Sequence, residues 1–346
     1  MKTEAAILVE LGKPLVMAEL EMPAMKPGQV LVEIAYSGAC GTQVNEAMGH
    51  KGEDKWLPHC LGHEATGIVL ETATGVTRFK AGDKVVLSWI KGPGYEAGGA
   101  VYGWDGRKVN AGAVTTFQRH ALVSENRLTP LQPGLAMDTA ILLGCAAPTG
   151  MGAVLNVLKA GPGDSIAVFG TGGIGLNALM AASFSGATTV IGVDPASTRR
   201  DLALRYGATH VLDPNAADIL AEIRKLVPGG VDLAVEATGI PTVMEQAINA
   251  TRVQGGRAVV IGNARAGSRL TLDPSVFNQG KSLMGTWGGD SVPDRDYPRF
   301  GRLLASGRFP VAGLLSAPYR LEDADKALKD LAAGTIGRPL IDMSLR

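Results

Sequence analysis

The stretch Ser165–Gly175, SIAVFGTGGIG, continued by an apolar run over 176–185 and by TTVIGVD at 188–194, decides how the chain is organised. Ile166 to Phe169 is a short apolar run of the kind shown by a strand buried on both faces. Gly170, Gly172, Gly173 and Gly175 follow at once. Residues 174–185 are rich in Ala, Leu and Met, hold no Pro, and read as a helix. Val190 to Val193 reads as a second buried strand, ending in Asp194. This is a βαβ unit with a glycine-rich first turn. Such glycines let the backbone turn tightly and approach a pyrophosphate, while the helix N-terminus offers free N–H groups and the positive end of its dipole. Gly170, Gly172, Gly173, Ile174 and Gly175 are therefore candidate cofactor contacts. Asp194 lies 19 residues beyond Gly175, near the spacing at which a carboxylate hydrogen-bonds the ribose hydroxyls of NAD. The same charge repels a 2′-phosphate, which favours NAD over NADP, and Arg199 and Arg200 soften that preference. A purely structural glycine turn is the alternative; the flanking strand, helix and terminal acid together argue against it.

Length and composition bound the rest. At 346 residues the chain suggests about two domains, and 46 % hydrophobic residues supply large cores. With 33 basic and 33 acidic side chains the net charge is zero, which argues against nucleic acid or an anionic membrane surface as a main partner. Three widely separated cysteines make no disulfide framework and suit a reducing cytoplasm. Met1–Glu10 lacks the features of a signal peptide, and no apolar run reaches the roughly 18 residues of a membrane span.

Along the chain, residues 1–145 read as mostly β. Val30 to Tyr36, Ala65 to Leu70 and Lys84 to Trp89 are strand-like, punctuated by turns at Pro27-Gly28, Gly82-Asp83 and Pro93-Gly94. The glycine-rich residues 90–113 read as an exposed loop. Met151 to Lys159 looks helical, and from there strands and helices alternate. Strands are expected at Val211, Val231–Val235, Ala258–Ile261 and Leu283–Thr286, with helices at 197–206, near 216–227 and near 243–250. Six such strands form a doubly wound parallel sheet. The tail, 288–346, reads as helices near Tyr297–Ser306 and Leu321–Ala333 and a strand at Pro339–Met343, packing back on the first half and making the nucleotide domain an insertion.

Outside the glycine motif, Cys40, His63 and Cys145 could bind a soft, tetrahedral metal such as zinc. Their separations, 23 and 82 residues, carry no local signal. On spacing alone, the two cysteines read equally as small buried hydrophobes and His63 as a satisfied half-buried histidine. Local context favours the metal. Cys40 follows a strand in SGACGT, His63 precedes one in LGHEATG, and Cys145 sits in GCAAPTG just before a helix.

These segments, with GTGGIG and Asp194, resemble the zinc-dependent alcohol dehydrogenases of the medium-chain dehydrogenase/reductase superfamily. The resemblance covers the whole chain: PGQVLVEIAYSGACGT, LGHEATGIV, FKAGDKVV, LLGCAAPTG, VEATG and the closing TIGRPLI fall in family order. It implies an α/β architecture: a GroES-like β-barrel catalytic domain over 1–148 and 287–346, and a Rossmann NAD-binding domain over 149–286, with the active site in the cleft between them. It implies Cys40, His63 and Cys145 as zinc ligands, and Glu64 as a nearby acid or transient ligand. Thr42 would accept the substrate proton and Thr149 would lie near the nicotinamide. Arg199 would meet the adenosine ribose and Arg338 the pyrophosphate. The backbone at Thr238, Ile261 and Trp287 would line the nicotinamide side. The implied reaction moves hydride between a primary or secondary alcohol and NAD, giving an aldehyde or ketone. Family members form dimers or tetramers, and Leu283–Thr286 is a candidate joining edge.

The chain also departs from the family. The region equivalent to a lobe with four clustered cysteines, about 88–113, has none, so one zinc per chain is expected. Gln43 stands where an Asp usually supports the ligand histidine. Asn45 stands where a histidine usually ends the proton relay; His50 and His59 are possible substitutes, read more simply as exposed loop histidines. Cys60 reads as a buried apolar position. Thr42, Asn45, Trp56, Trp89, Lys91, Trp287 and Asp290 are candidate cleft residues. Competing readings are a sugar, polyol or cyclitol dehydrogenase of the same superfamily, a zinc-free NADPH enone or quinone reductase, and a non-enzymatic nucleotide-binding protein.

Overall fold

The computed structural model describes all residues except 217, 335 and 336, so Thr335 and Ile336 of the closing motif lie outside the described residues. Contacts divide the chain into two compact units, Met1–Cys145 with Val292–Arg346, and Ala146–Ser291.

The first unit is built on Gln29–Gly38. This ten-residue strand is rich in β-branched and aliphatic side chains and mostly buried, so it has neighbours on both sides. It pairs antiparallel with Glu64–Thr72, His120–Ser124 and Arg338–Asp342 in a seven-stranded sheet that also holds Lys84–Ser88, Leu128–Pro130 and Leu315–Tyr319. Val30, Val32, Ile34, Ala65, Val69, Val85, Leu87, Phe117 and Ile341 form its core. A smaller closed barrel joins Lys2–Leu8, Val16–Glu21, Val101–Trp104, Arg107–Asn110 and His59–Cys60. The expected strands at 30–36, 65–70 and 84–89 are present. The expected helices near 297–306 and 321–333 run from Pro293 to Ala305 and from Ala324 to Ala332, the latter after a 3₁₀ turn.

The expectation of an exposed loop over 90–113 is corrected. Val101–Trp104 and Arg107–Asn110 are a hairpin, and Tyr102 is 1 % exposed against Leu20, Val109 and Leu122. Its turn is Asp105-Gly106, with φ 45° and 75°, the left-handed pair that a two-residue turn matching strand twist requires. The N-terminal pair Lys2–Leu8 and Val16–Glu21, and the helix Gly41–Ala47, were also not among the expected elements.

The second unit is a six-stranded, all-parallel sheet. Across the sheet run His210–Leu212, Thr189–Val193, Ser165–Phe169, Leu233–Glu236, Arg257–Val260 and Ser282–Gly285. This is the doubly wound arrangement expected, with the order reversing between Ser165–Phe169 and Leu233–Glu236, where such folds bind ligands. Gly173–Ser185 is apolar on all sides and has eight buried residues, so it is a core helix; Gly186 ends it at φ 85°. The helical region expected at 151–159 begins earlier, as Ala146–Gly152, and continues as a π-helical turn over Ala153–Val157. Among the described residues no single helix is long and apolar enough to cross a membrane.

Candidate active site

Three connections of the first unit end at one point. Gln29–Gly38 delivers Cys40, which becomes the N-cap of the helix Gly41–Ala47 in an extended conformation. Its Sγ accepts the Thr42 backbone N–H at 3.4 Å. Strand pairing of Ser37 with Ala65 sets His63 and Glu64 beside that end. Gly62, at φ 88°, makes the approach possible, since a Cβ there would lie 2.2 Å from Thr116 Oγ1. Cys145 follows the 3₁₀ turn Ile141–Gly144. Gly144 lies so close to the sheet that a Cβ would sit 2.6 Å from the Leu87 carbonyl oxygen. Ser88 Oγ fixes that segment, donating to the Gly144 carbonyl at 2.7 Å and meeting Tyr297 Oη at 2.6 Å.

The result is a buried cluster. The ligand atoms of Cys40, His63 and Cys145 lie within 4.8 Å of one another, and Cys40 Sγ is 3.3 Å from His63 Nε2. Hydrogen bonding from Cys145 lowers the Cys40 thiol well below its usual range, and Cys145 rises in turn, so Cys40 is the more thiolate-like of the two. Burial pulls the His63 imidazole down, but the charge and hydrogen bond of Cys40 together with the charge of Glu64 outweigh it, and the net shift is upward. Two sulfurs and one imidazole suit tetrahedral zinc with one position left for substrate. Glu64 is 0 % exposed, and its Oε1 accepts from Arg338 Nη1 at 2.6 Å. Its Oε2 is buried without a hydrogen-bond partner, as an oxygen left for a metal or a proton would be. Burial pushes this carboxyl up to about 7, against the pull of Arg338. The donor set and the orphaned oxygen both fit zinc.

Other expected residues fall as follows. Arg338, expected at a pyrophosphate, is buried in the first unit and also donates to the Ala39 carbonyl at 3.3 Å. Asn45 Oδ1 lies 3.3 Å from His50 Nδ1. His59 is not an exposed loop residue: it is buried, 2.8 Å from Asp54 Oδ2 and 3.0 Å from the Cys60 carbonyl. Glu46 lies 3.9 Å from the same ring, and the three pin the loop between helix and strand. Trp89 presents an edge to His63, with ring centres 6.4 Å apart. Cys60 is buried, and burial pushes its thiol up to about 12.

In the second unit the glycine turn lies between Ser165–Phe169 and Gly173–Ser185. A Cβ on Gly175 would stand 1.9 Å from the Gly170 carbonyl oxygen, whereas one on Gly172 would meet nothing within 4 Å. Gly175 thus serves close packing, and Gly172 leaves open space at the helix N-terminus. Asp194, 2 % exposed, accepts from Thr171 N–H at 2.9 Å and Ala196 N–H at 3.0 Å. Arg199 Nη1 is 3.9 Å from it, while Arg200 is held by the Asp194 and Pro195 carbonyls and by Asp213. Thr238 donates its N–H and hydroxyl to Glu236 Oε1, and Ile261 N–H bonds the Glu236 carbonyl at 2.8 Å. Thr149 is 6 % exposed and Trp287 76 %. Sequence reading missed Ser88 and Tyr297, which carry no motif, and Glu236, whose role as a turn anchor was hidden inside VEATG.

The parallel sheet with its glycine turn and the Cys-His-Cys cluster define a metal-binding dehydrogenase. Residues 26–133 match the family of alcohol dehydrogenase GroES-like domains and residues 173–306 that of zinc-binding dehydrogenases. The chain is 32 % identical over 372 residues to geraniol dehydrogenase of Castellaniella defragrans, covering 99 % of this chain and 98 % of that one. It is 30 % identical over 368 residues to S-(hydroxymethyl)glutathione dehydrogenase of Synechocystis, covering 99 % and 100 %. It superposes on the crystal structure of benzyl alcohol dehydrogenase from Acinetobacter calcoaceticus with TM-score 0.90 at 28 % identity, covering 99 % of each chain. The chain belongs to the zinc-dependent alcohol dehydrogenases of the medium-chain dehydrogenase/reductase superfamily, oxidoreductases acting on alcohol CH–OH. That family carries Zn²⁺ and a nicotinamide cofactor.

Proposed function

We propose that the protein interconverts a primary or secondary alcohol and its aldehyde or ketone, with one zinc per chain and NAD as the hydride acceptor. The observation that carries this is the convergence of Cys40, His63 and Cys145 within 4.8 Å. Zinc held there supplies Lewis-acid polarisation of a substrate oxygen. The chain's own residues do the rest. Glu64, held by Arg338, sets the charge beside the ligands. Thr42, in the first turn of the helix that Cys40 caps, takes the substrate proton. Asn45 cannot titrate; its contact with His50 Nδ1 at 3.3 Å supports His50 as a substitute at the end of the proton path. The open space at Gly172 and the N-terminus of Gly173–Ser185 support pyrophosphate binding. Asp194 supports ribose-hydroxyl recognition, and its charge favours NAD over NADP. By the family pattern the first unit carries the catalytic site and the second the cofactor. The edge strand Ser282–Gly285, paired on one side only, supports a dimer or tetramer. Three free cysteines suit the cytoplasm.

The test is zinc per chain, measured by elemental analysis on protein purified without chelator and on Cys40→Ser, followed by an alcohol panel with NAD and NADP. About one zinc, lost in the variant, is expected. Metal-replete protein without zinc would overturn the reading and favour the zinc-free reductase alternative. Turnover confined to sugars, polyols or cyclitols would move the substrate to that branch.

A further inference from the structure

Gln43, 1 % exposed, lies between Cys40 and His63. Its Oε1 accepts the Cys40 backbone N–H at 2.9 Å, and its Nε2 faces His63 Nδ1. A side-chain amide has one acceptor oxygen and one NH₂ group. A backbone N–H only donates, so the atom opposite Cys40 must be the oxygen, and the NH₂ is left for the histidine. Nδ1 must then accept. The nitrogen turned toward the Cys40 sulfur is Nε2, at 3.3 Å. A neutral imidazole that gives Nε2 to a metal keeps its one proton on Nδ1. That proton meets the Gln43 NH₂, donor against donor. Turning the amide over satisfies Nδ1–H but sets NH₂ against the Cys40 N–H. In either orientation one buried donor has no acceptor from Gln43.

We propose that Gln43 is a positioning residue that holds the zinc affinity of this site down, because its amide can turn its oxygen to only one of two donors once His63 ligates through Nε2. A carboxylate of the same length offers an acceptor to each. The inference rests on the zinc reading above. It makes zinc in this chain more readily exchanged than in a site whose histidine is backed by a carboxylate.

The experiment measures the zinc dissociation constant by competition with a chromophoric chelator for the full-length wild type, Gln43→Glu, Gln43→Met and Cys40→Ser, with thermal melting to confirm folding. Gln43→Glu should bind zinc about 10- to 100-fold more tightly than wild type. Gln43→Met, which removes donor and acceptor alike, should bind no more weakly than wild type. If Gln43 only tethers Cys40, Met weakens binding and Glu leaves it unchanged, and either result overturns the proposal. Gln43→Asp carries the same two acceptors and serves if Gln43→Glu does not fold. Wild type that binds zinc, lost in Cys40→Ser, with the carboxylate variants unchanged, refutes this inference alone. Wild type that binds no zinc refutes it together with the zinc reading.

Discussion

Replacing Arg338 with Met tests how the buried acid beside the proposed metal ligands is held. Arg338 is 3 % exposed, Glu64 is 0 % exposed, and the two are 2.6 Å apart. Unit charges 4 Å apart at an effective dielectric near 20 attract by about 4 kcal/mol. Removing one partner of a buried pair costs about 3–5 kcal/mol. Glu64 can limit that cost by taking up a proton. Burial already pushes its carboxyl up to about 7 with Arg338 in place. A carboxyl raised in the folded state contributes stability that is fully present below its unfolded value and lost as pH rises through its folded value. For the metal-free wild type the loss between pH 6 and pH 8 is about 1.4 kcal/mol, since the group titrates mid-window. In Arg338→Met the carboxyl rises further and stays protonated throughout, so the loss is about 2.7 kcal/mol. The penalty of the substitution should therefore grow by about 1.4 kcal/mol from pH 6 to pH 8. The assay is urea unfolding in chelator, followed by tryptophan fluorescence in a Trp287→Phe background. Of the four tryptophans, Trp56, Trp89 and Trp104 then remain, all in the first unit. Adding Glu64→Gln should abolish the pH term. A penalty independent of pH, or larger at pH 6, would refute the reasoning.

Two other outcomes follow from burial. Cys60, with its thiol pushed up to about 12, should resist alkylation at pH 8 in folded, metal-stripped protein, whereas Cys40, held below its usual range, reacts first. Peptide mapping by mass spectrometry decides this, and Cys60 reacting as fast as in urea would contradict it. Tyr102→Phe removes the hydroxyl that accepts the Leu122 N–H at 3.0 Å and Gln118 Nε2 at 3.3 Å. It should cost about 1–3 kcal/mol in the same unfolding assay while leaving zinc content unchanged; a cost within experimental error would show that those donors find other partners.

What could be read ahead of the structure follows from how local each signal is. The second unit was legible because a parallel strand covered on both faces is a continuous apolar run, and the starts of two of its helices are marked, one by Gly172 and one by the Asp218 cap. Ser165–Phe169 and Thr189–Val193 begin one residue before their expected starts and end as expected. The hairpin at 101–110 is hidden in the sequence because its glycines look like a sign of looseness. Asp105-Gly106 between Val-Tyr-Gly-Trp and Arg-Lys-Val-Asn is itself a tight-turn signal.

The cluster of Cys40, His63 and Cys145 shows the opposite case. Separations of 23 and 82 residues carry nothing, because the residues meet through sheet register. Ser37 opposite Ala65 and Gly38 opposite Leu340 bring the end of one strand to the start of the second and beside the third. Cys40, His63, Glu64 and Arg338 then share a corner without being neighbours in sequence. Residue type alone could mark Gln43 as unusual, but not what its substitution costs. That cost depends on which atom of the amide faces Cys40 N–H. Once that bond is drawn, the count of one acceptor against two donors is forced. A side chain of altered hydrogen-bonding capacity can thus leave a ligand set intact while changing how firmly it holds a metal.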